Sequence, residues 1–309
     1  MTPRTMLIVN PRSGSRDALE QIALVHTRLQ PHLGAIEIVT TGAAGDATSA
    51  ARRAAAGPYD TVLIAGGDGT LNEVLNGVAG VAGGLARLTL GVVPLGTGND
   101  FARALGLPED LPGALEVIVA GRRVAVDVGM LNEHHFVNVS AGGFFAQVSS
   151  AVDGDLKSAV GPLAYLLGGA SALIEHEPSP VHLVARRGGQ VVERDLTMKL
   201  FAVCNARMAG GGRLIAPRAL LDDGLLDVCL IEDLPTLEFL ALLARFGSGE
   251  HVDDERVGYF QAESLDLSFP EPLAVNTDGE LLETRECRYR VLPRAATFLA
   301  STGALASGV

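Results

Sequence analysis

Residues 61–73, TVLIAGGDGTLNE, constrain the fold of this chain more than any other stretch. Thr61 to Ala65 is a short apolar run rich in β-branched residues, which is typical of a buried strand. A glycine turn follows at residues 66–69, and Thr70 and Glu73 have the spacing of a helix capping box. A strand, a glycine turn and a helix N-terminus together predict an anion site, because free N–H groups and the helix dipole favour negative charge.

Asp68 lies inside this glycine turn, so an acid is placed within a site suited to an anion. Two like charges held together indicate that a metal ion bridges them or that a proton is transferred. The GGDG sequence taken alone fits an ordinary tight turn equally well. Its interpretation therefore depends on the rest of the chain.

The first 128 residues alternate predicted strands with predicted helices, joined by short glycine turns. Strands are predicted at Met6–Asn10, Ala35–Thr40, Thr61–Ala65 and Leu90–Pro94, and helices at Asp17–Leu29 and Gly45–Ala56. This βαβ alternation predicts a doubly wound, Rossmann-like parallel sheet. The turns that follow the strand ends should gather at one edge, where open α/β sheets bind ligands.

After Asp127 the pattern changes to short alternating runs, which are typical of an antiparallel sandwich. They are His135–Ser140, Val181–Ala185, Leu196–Val203, Leu225–Ile231, Ser264–Phe269 and Leu273–Asn276, with helices predicted at Leu156–Ile174 and Thr236–Phe246. We therefore expect an α/β domain at residues 1–128, with a C-terminal return at residues 292–309. An antiparallel β-sandwich domain should occupy residues 129–291, with a cleft between the two domains.

Composition narrows the possible locations and partners. The net charge of −12 argues against nucleic acid as a partner. No run reaches the ~18–20 apolar residues of a membrane span, and the first residues lack the layout of a signal peptide. The three scattered cysteines, Cys204, Cys229 and Cys287, are expected to be thiols packed in the core. We expect a cytoplasmic protein.

Four motifs stand in a fixed order along the chain: NPRSG at residues 10–14, GGDGTLNE at 66–73, PLGTGNDFAR at 94–103 and NTDGE at 276–280. Together they closely resemble the diacylglycerol-kinase catalytic family, especially its bacterial soluble lipid kinases. The similarity covers almost the whole chain. The GGDGT block is shared with NAD kinases and phosphofructokinases, whereas the long second and third blocks with the late Asp-Gly-Glu are specific to the lipid kinases.

The resemblance implies transfer of the γ-phosphate of ATP, with Mg²⁺, to a lipid hydroxyl such as that of diacylglycerol or phosphatidylglycerol. It assigns ATP contacts to Asn10, Pro11, Ser13, Gly14, Thr41, Gly66, Gly67, Asp68, Gly69, Thr70, Leu71, Asn72 and Thr97. Glu280 matches the proton acceptor of the family, and Asp278 lies beside it. Asp68 is the rival for that role, although we favour it as an organiser of Mg²⁺-bound water.

The resemblance also implies a structural Mg²⁺ held by Leu220, Asp223 and Leu225, with Asp127 and Asp100 in a supporting network. The leucines can act only through main-chain carbonyls, which are suitable ligands for a hard cation. One departure from the family pattern is Arg16, because many relatives have a lysine directly after the first Ser-Gly. The shift by one residue leaves its reach toward ATP open.

A lipid acceptor implies transient contact with the inner face of the membrane. The apolar stretch Leu237–Phe246 fits either a core helix or a membrane-docking surface. Two alternative functions are a kinase of a soluble acceptor such as NAD, and a non-catalytic lipid or nucleotide sensor with the same fold. The sequence encodes neither the identity of the lipid nor the oligomeric state.

Overall fold

A computed structural model describes residues 4–13, 18–146 and 177–303 of the chain. Gly14, Arg16 and the helix predicted at Leu156–Ile174 lie outside the described residues, as do residues 304–309 of the predicted C-terminal return.

The first part of the chain is built around a parallel sheet. Its strands are β1 (Thr5–Val9), β2 (Ile36–Thr40), β3 (Thr61–Gly66) and β4 (Thr89–Pro94), which pair in the order β2-β1-β3-β4. Its helices are α1 (Ala18–Leu33), α2 (Asp46–Ala56), α3 (Asp68–Ala79), α4 (Gly84–Arg87), α5 (Asp100–Ala104) and α6 (Leu111–Ala120). Strands β1, β3 and β4 are buried throughout and almost wholly apolar because both faces of the sheet are covered there, whereas the edge strand β2 is only partly buried. Met6 and Ile8 pack with residues of α2 and α3, whereas Leu7 and Val9 pack with residues of α1 and α6.

The second part is rich in antiparallel strands. They are β5 (Arg123–Leu131), β6 (His134–Phe136), β7 (Val139–Gly143), β8 (Ser179–Arg187), β9 (Gln190–Cys204), β10 (Met208–Ala209), β11 (Arg213–Leu214), β12 (Leu226–Glu232), β13 (Val257–Ala262), β14 (Ser264–Thr277) and β15 (Glu280–Leu299), with helix α7 at Thr236–Ala244. Large aromatic side chains fill its cores, among them Phe201 and Tyr289. All three cysteines are buried and unpaired, as expected from the sequence.

Strand β15 joins the two parts. Its first half pairs antiparallel with β14, and its last residues, Thr297 and Phe298, pair parallel with β4 of the first part. Between these halves, its register against β5 shifts between Leu292 and Ala296. Thirteen of the described strands therefore belong to one continuous sheet. The division into domains at residues 128 and 292 stays a prediction.

Several predicted elements were wrong in their extent. The strands predicted at Ser264–Phe269 and Leu273–Asn276 form the single strand β14. The strand expected at His135–Ser140 is divided into β6 and β7. The N–H groups of residues 137–139 donate to the carboxylate of Asp278, so they do not pair with a neighbouring strand. Helix α1 continues past Leu29 to Leu33, because Leu33 packs against the hydrophobic core.

Candidate active site

The glycine edge, which we define as residues 66–70 and 96–100, lies at the carboxyl ends of β3 and β4. The two turns pack backbone against backbone. A Cβ atom added to Gly96 would lie only 2.5 Å from the Cα atom of Gly67, a separation that real Cβ atoms do not show. Glycine is therefore required here by close packing, which brings two strand ends and two helix N-termini together.

Helix α3 presents free main-chain N–H groups at this edge. Its first intrahelical hydrogen bond runs from the N–H of Leu71 to the carbonyl of Gly67 (3.1 Å), so the N–H groups of residues 68–70 have no partner within the helix. A Cβ atom added to Gly69 would meet nothing within 4 Å. Open space above free N–H groups and the positive end of a helix dipole is suited to a phosphate.

The predicted capping box was wrong. Helix α3 begins at Asp68 with Gly67 as its N-cap, so Thr70 lies inside the first turn. The Thr70 hydroxyl instead accepts a hydrogen bond from the Asn10 amide (3.1 Å), and the Glu73 carboxylate accepts one from the N–H of Gly45 (3.0 Å). These contacts link α3 to the turns that follow β1 and β2.

Asp68 points away from the N–H groups of its own helix. Its carboxylate accepts hydrogen bonds from the N–H groups of Asp100 (3.1 Å) and Phe101 (3.2 Å), at the start of α5. Burial raises the pKa of Asp68, the two N–H donors lower it, and the nearby negative charge of Asp100 raises it. The acid is therefore held outside the anion site, at the boundary with the second part of the molecule.

Asp278 approaches the same boundary from the other side. Its carboxylate accepts hydrogen bonds from the N–H groups of Val137 (2.8 Å), Asn138 (3.2 Å) and Val139 (2.9 Å). Burial raises the pKa of Asp278 to about 6 against the lowering effect of these donors, and the negative charge of Asp68 adds to the rise. The structure thus brings two acids close together from opposite ends of the sequence.

Glu280 lies two residues further along, in a different environment. Its side chain is 53% exposed, and its Oε2 atom is 3.9 Å from Nδ1 of His134. The adjacent residue, His135, is held against α3 by the amide of Asn76, which donates to its carbonyl and accepts from its N–H (both 2.9 Å). Glu280 is therefore open to solvent beside the contact between β6 and α3.

The other residues predicted to contact ATP that lie in the described part of the chain differ in exposure and in hydrogen bonding. The main-chain carbonyl of Asn10 accepts a hydrogen bond from the N–H of Ser13 (3.1 Å), which closes the turn between them. The Thr41 hydroxyl donates to the carbonyl of Val9 (3.3 Å). Pro11 is partly exposed and Thr97 is exposed. Leu71 is buried in the core, and the Asn72 amide donates to the carbonyl of His135 (3.1 Å). These two side chains support α3, and the ATP assignments stay predictions.

The acidic turn, which we define as residues 220–227, contains Asp223. One oxygen of its carboxylate accepts a hydrogen bond from the N–H of Leu225 (3.0 Å) and the other from the Gln261 amide (3.3 Å). Burial raises the pKa of Asp223, and the negative charges of Asp227 and Asp127 raise it further. Acidic groups are therefore crowded at this turn.

Asp127 and Asp100 each bind main-chain N–H groups across the molecule. Asp127 accepts from Gly224 and Arg294 (both 2.7 Å), and Asp100 accepts from Gly211 (2.9 Å) and Gly212 (2.6 Å). In the described part of the chain, no three His, Cys, Asp or Glu side chains are grouped to hold a metal ion. A site at Leu220, Asp223 and Leu225 would therefore depend on main-chain carbonyls, and it stays a prediction.

Comparison with known proteins shows the family of the chain. Residues 4–131 match the diacylglycerol kinase catalytic domain family, and residues 138–300 match a family described as the YegS C-terminal NAD kinase beta sandwich-like domain. A diacylglycerol kinase of Bacillus subtilis strain 168 is 34% identical over 278 residues, which cover 90% of this chain and 89% of the relative. The chain belongs to the diacylglycerol kinase family. The family predicted from the sequence motifs is thereby confirmed, and the chain is a lipid kinase by family.

Other diacylglycerol kinases are similarly related. One from Staphylococcus carnosus strain TM300 is 36% identical over 280 residues, which cover 91% of this chain and 89% of the relative. A crystal structure of a proposed diacylglycerol kinase from Bacillus anthracis str. Sterne superposes with a TM-score of 0.80 at 29% identity, covering 97% of this chain and 98% of that one. The fold with a C-terminal β domain is thus shared. Among the described helices, none is long and apolar enough to cross a bilayer.

Sequence reasoning missed three residues that support the candidate site: Asn76, Asn138 and Gln261. Their partners lie 59, 140 and 38 residues away in the chain, beyond the reach of any local pattern. Asn138 alone gave a signal, because asparagine is depleted in strands and interrupts the apolar run from Phe136 to Val139.

Proposed function

We propose that this chain transfers the γ-phosphoryl group of ATP, with Mg²⁺, to the hydroxyl group of diacylglycerol. The observation that carries the proposal is the free N-terminus of α3 beneath open space at Gly69, next to the boundary where Asp68 and Asp278 approach each other. Phosphoryl transfer depends mainly on positioning and charge stabilisation. An N–H-rich edge facing a pair of acids can provide both.

We infer that the first domain, residues 1–128 with the return at 292–309, is doubly wound. Helices cover both faces of its parallel sheet. Strand β2 pairs on one side of β1 and strand β3 on the other, so the order in which the chain adds strands to the sheet reverses after β2. Such a switch point opens a crevice at the carboxyl ends of the strands, where nucleotides bind. In our proposal, ATP lies over Gly69, between the turn at Asn10 and the exposed Thr97. The β domain, residues 129–291, presents the acceptor across the cleft.

Glu280 is the side chain we propose to accept the proton of the lipid hydroxyl. It is exposed at the boundary, whereas Asp278 is buried and already accepts three main-chain N–H groups. A positioned carboxylate base contributes about 10²–10⁴ in rate. Asp68, with both oxygens bound at the start of α5, is better placed to organise the site than to receive a substrate proton.

The acidic turn fits a magnesium ion by its chemistry. Its donors are hard oxygen atoms, the ligands that Mg²⁺ prefers, and neighbouring negative charges raise the pKa of Asp223. We propose that Asp223 and the carbonyls of Leu220 and Leu225 would hold the ion, while Asp127 fastens the turn through Gly224. When bound there, Mg²⁺ would neutralise the crowded carboxylates and stiffen the contact between the domains.

We propose that the enzyme is cytoplasmic and visits the inner face of the membrane through α7. Phe239 and Leu242 anchor this helix in the core, whereas Leu237 is 80% exposed. One side of the helix therefore serves the core and the other carries an apolar side chain in water. This arrangement combines the two interpretations of the stretch Leu237–Phe246.

The direct test supplies labelled ATP to the purified protein with three separate acceptors: diacylglycerol in mixed micelles, phosphatidylglycerol in mixed micelles, and NAD in solution. Phosphatidic acid, identified by mass spectrometry, is the expected product. Preferential labelling of phosphatidylglycerol would make phosphatidylglycerol the lipid substrate in place of diacylglycerol. Labelling of NAD would favour the soluble-acceptor alternative. Nucleotide binding without turnover of any acceptor would favour a sensor. The Asp68→Ala variant, expected to be inactive, controls for contaminating kinases.

A further inference from the structure

The triple-glycine loop, which we define as residues 210–212, joins strands β10 and β11. All three glycines adopt positive φ angles, of 66°, 84° and 90°. A three-residue hairpin loop commonly needs only one residue in that conformation, at its last position. Closing the hairpin therefore does not by itself explain three glycines, and the additional ones allow backbone conformations that other residues adopt only with strain.

The loop holds Asp100, a residue of the first part of the molecule. The N–H of Gly211 donates to Oδ2 of Asp100 (2.9 Å), and the N–H of Gly212 donates to Oδ1 (2.6 Å). Successive main-chain N–H groups that converge on one anion form a nest. Asp100 is only 4% exposed, and a buried carboxylate needs such donors, so the loop and the carboxylate complement each other.

The same aspartate is connected to Asp68. The main-chain N–H of Asp100 donates to one oxygen of the Asp68 carboxylate (3.1 Å), and the N–H of Phe101 donates to the other oxygen (3.2 Å). A continuous path of hydrogen bonds therefore runs from the first residue of α3, through the start of α5, to the triple-glycine loop. The loop also approaches the glycine edge directly, since a Cβ atom added to Gly98 would lie 4.0 Å from the nitrogen of Gly211.

The hairpin that carries the loop is fixed to the second part of the molecule. The N–H of Ala216 donates to the carbonyl of Arg207 (3.1 Å), and the Arg207 guanidinium donates to the carbonyl of Ala219 (3.0 Å). Ile215 is buried in a core of the second part, and its carbonyl is 3.0 Å from Nε2 of the buried His251. A loop with a fixed base can hold its partner in a fixed position.

We propose that the triple-glycine loop is a positioning element for phosphoryl transfer, in which Gly211 and Gly212 hold Asp100 and thereby set the position of the Asp68 carboxylate. The inference rests on the proposed function, because it requires Asp68 to act in the reaction. The loop acts through Asp100 and needs no contact with substrate. Loss of the hydrogen bonds that support an active-site group typically lowers activity about 10–100-fold.

Gly189 provides a matched control at a different loop. Gly188 and Gly189 form the two-residue turn between β8 and β9, where a tight hairpin requires positive φ at both positions. The φ angle is 78° at Gly189 and 84° at Gly211, and a Cβ atom added to either would meet nothing within 4 Å. Alanine should therefore introduce similar strain at both positions, but at Gly211 the strain lies next to the bond with Asp100.

The experiment compares Gly211→Ala, Gly211→Asn and Gly189→Ala with the wild-type protein. For each protein, kcat and KM for ATP are measured with diacylglycerol micelles and normalised to the folded fraction, and Tm is measured in parallel. Gly211→Ala should lower kcat about 10–100-fold and leave KM for ATP within about threefold, because α3 keeps its free N–H groups. Gly189→Ala should lower Tm and keep kcat. Wild-type kcat in Gly211→Ala, or an equal loss of kcat in Gly189→Ala, would overturn the inference.

Gly211→Asn separates backbone conformation from side-chain volume. Asparagine is larger than alanine, but it tolerates positive φ angles better. If the backbone of the loop positions Asp100, the Asn variant should be more active than the Ala variant. A loop that only leaves room for substrate predicts the reverse order, and that result would contradict the positioning role.

A double-mutant cycle tests whether the loop acts through Asp100. Asp100→Asn keeps the size of the side chain but replaces one acceptor of the loop with a donor, so kcat should fall by no more than about 100-fold. In that background, Gly211→Ala should lower kcat less than about threefold, because the bond that it disturbs is already impaired. Equal factors in both backgrounds, or a larger loss in Asp100→Asn alone, would overturn the inference alone. A wild-type protein that phosphorylates no acceptor would overturn the proposed function as well.

Discussion

The glycine edge and the acidic turn both place aspartates beside glycines, yet their chemistry differs. At the glycine edge, Asp68 and Asp100 are each bound by two main-chain N–H groups, and the N-terminus of α3 remains free. At the acidic turn, burial raises the pKa of Asp223, and the negative charges of Asp227 and Asp127 raise it further. Similar residue types therefore leave free donors at one region and an excess of carboxylates at the other, and we propose an anion site at the first and a cation site at the second.

The largest expected effect is on kcat, and it comes from replacing the proposed base in the β domain. It tests whether the glycine edge binds the nucleotide while the β domain supplies the base. Glu280→Gln removes the proposed proton acceptor without changing its size. We expect kcat to fall about 10²–10⁴-fold, and the dissociation constant of ATP to stay within about twofold. The matched control is Glu283→Gln, an exposed glutamate on the same strand, which should keep wild-type turnover. Normal turnover in Glu280→Gln would show that Glu280 of the β domain is not the base.

The next effect concerns Asp278, whose pKa is raised by burial to about 6 from the ordinary aspartate value of 3.8. A raised folded-state pKa means that the folded protein binds more protons than the unfolded chain between these values. The contribution of Asp278 to stability therefore falls as the pH rises from about 4 through about 6, by roughly 2–3 kcal/mol. Asp278→Asn removes this dependence, although an amide opposite three N–H donors lowers stability at every pH.

Urea unfolding of both proteins at several pH values measures this difference. The free energy of unfolding of Asp278→Asn minus that of the wild type should shift in favour of the variant by about 2–3 kcal/mol between pH 4 and pH 7.5. Titrating groups that do not interact with Asp278 cancel in the subtraction. A difference that stays constant with pH would mean that folding does not raise the pKa of Asp278.

Local patterns were sufficient for much of the glycine edge. The apolar run ending at Ala65 and the following glycines predict a strand, a turn and a helix start from neighbouring residues alone, and β3 and α3 lie there. Parallel pairing then brings the turn beside Gly96, since carboxyl ends of parallel strands share one edge. The strand, the turn and the helix start could therefore be predicted from neighbouring residues, whereas their use as an anion site depends on the rest of the chain and stays a proposal.

The hydrogen-bond partners of Asp68 and Asp278 could not be predicted from local patterns. Asp68 caps α5, which lies 32 residues further along the chain, and Asp278 binds N–H groups about 140 residues before it. Such bonds depend on how the two parts pack, and no periodicity in the sequence encodes them. The contacts of Asp278 divide the strand predicted at His135–Ser140, and the start of α3 at Asp68 leaves Thr70 without its predicted capping role.

A smaller effect tests whether the acidic turn is a cation site. Asp223→Ala should abolish the rise in thermal stability that Mg²⁺ gives the wild-type protein. At a Mg²⁺ concentration of 100 times its dissociation constant, that rise corresponds to about 2.7 kcal/mol. Asp195→Ala, which removes an exposed aspartate paired with His182, should keep the full response. Equal responses in both variants would place the ion elsewhere and break the contrast between the two regions.

The smallest effect tests the open space above Gly69. Gly69→Ala adds a methyl group that meets no protein atom within 4 Å, and alanine is favoured over glycine in a helix, so Tm should hold or rise. If the space belongs to phosphate, KM for ATP should increase about tenfold, equivalent to about 1.4 kcal/mol. Gly96→Ala gives the opposite pattern, because its methyl group would overlap Gly67 and lower Tm. An unchanged KM in Gly69→Ala would show that ATP does not occupy this space, and the glycine edge would then be a packing device.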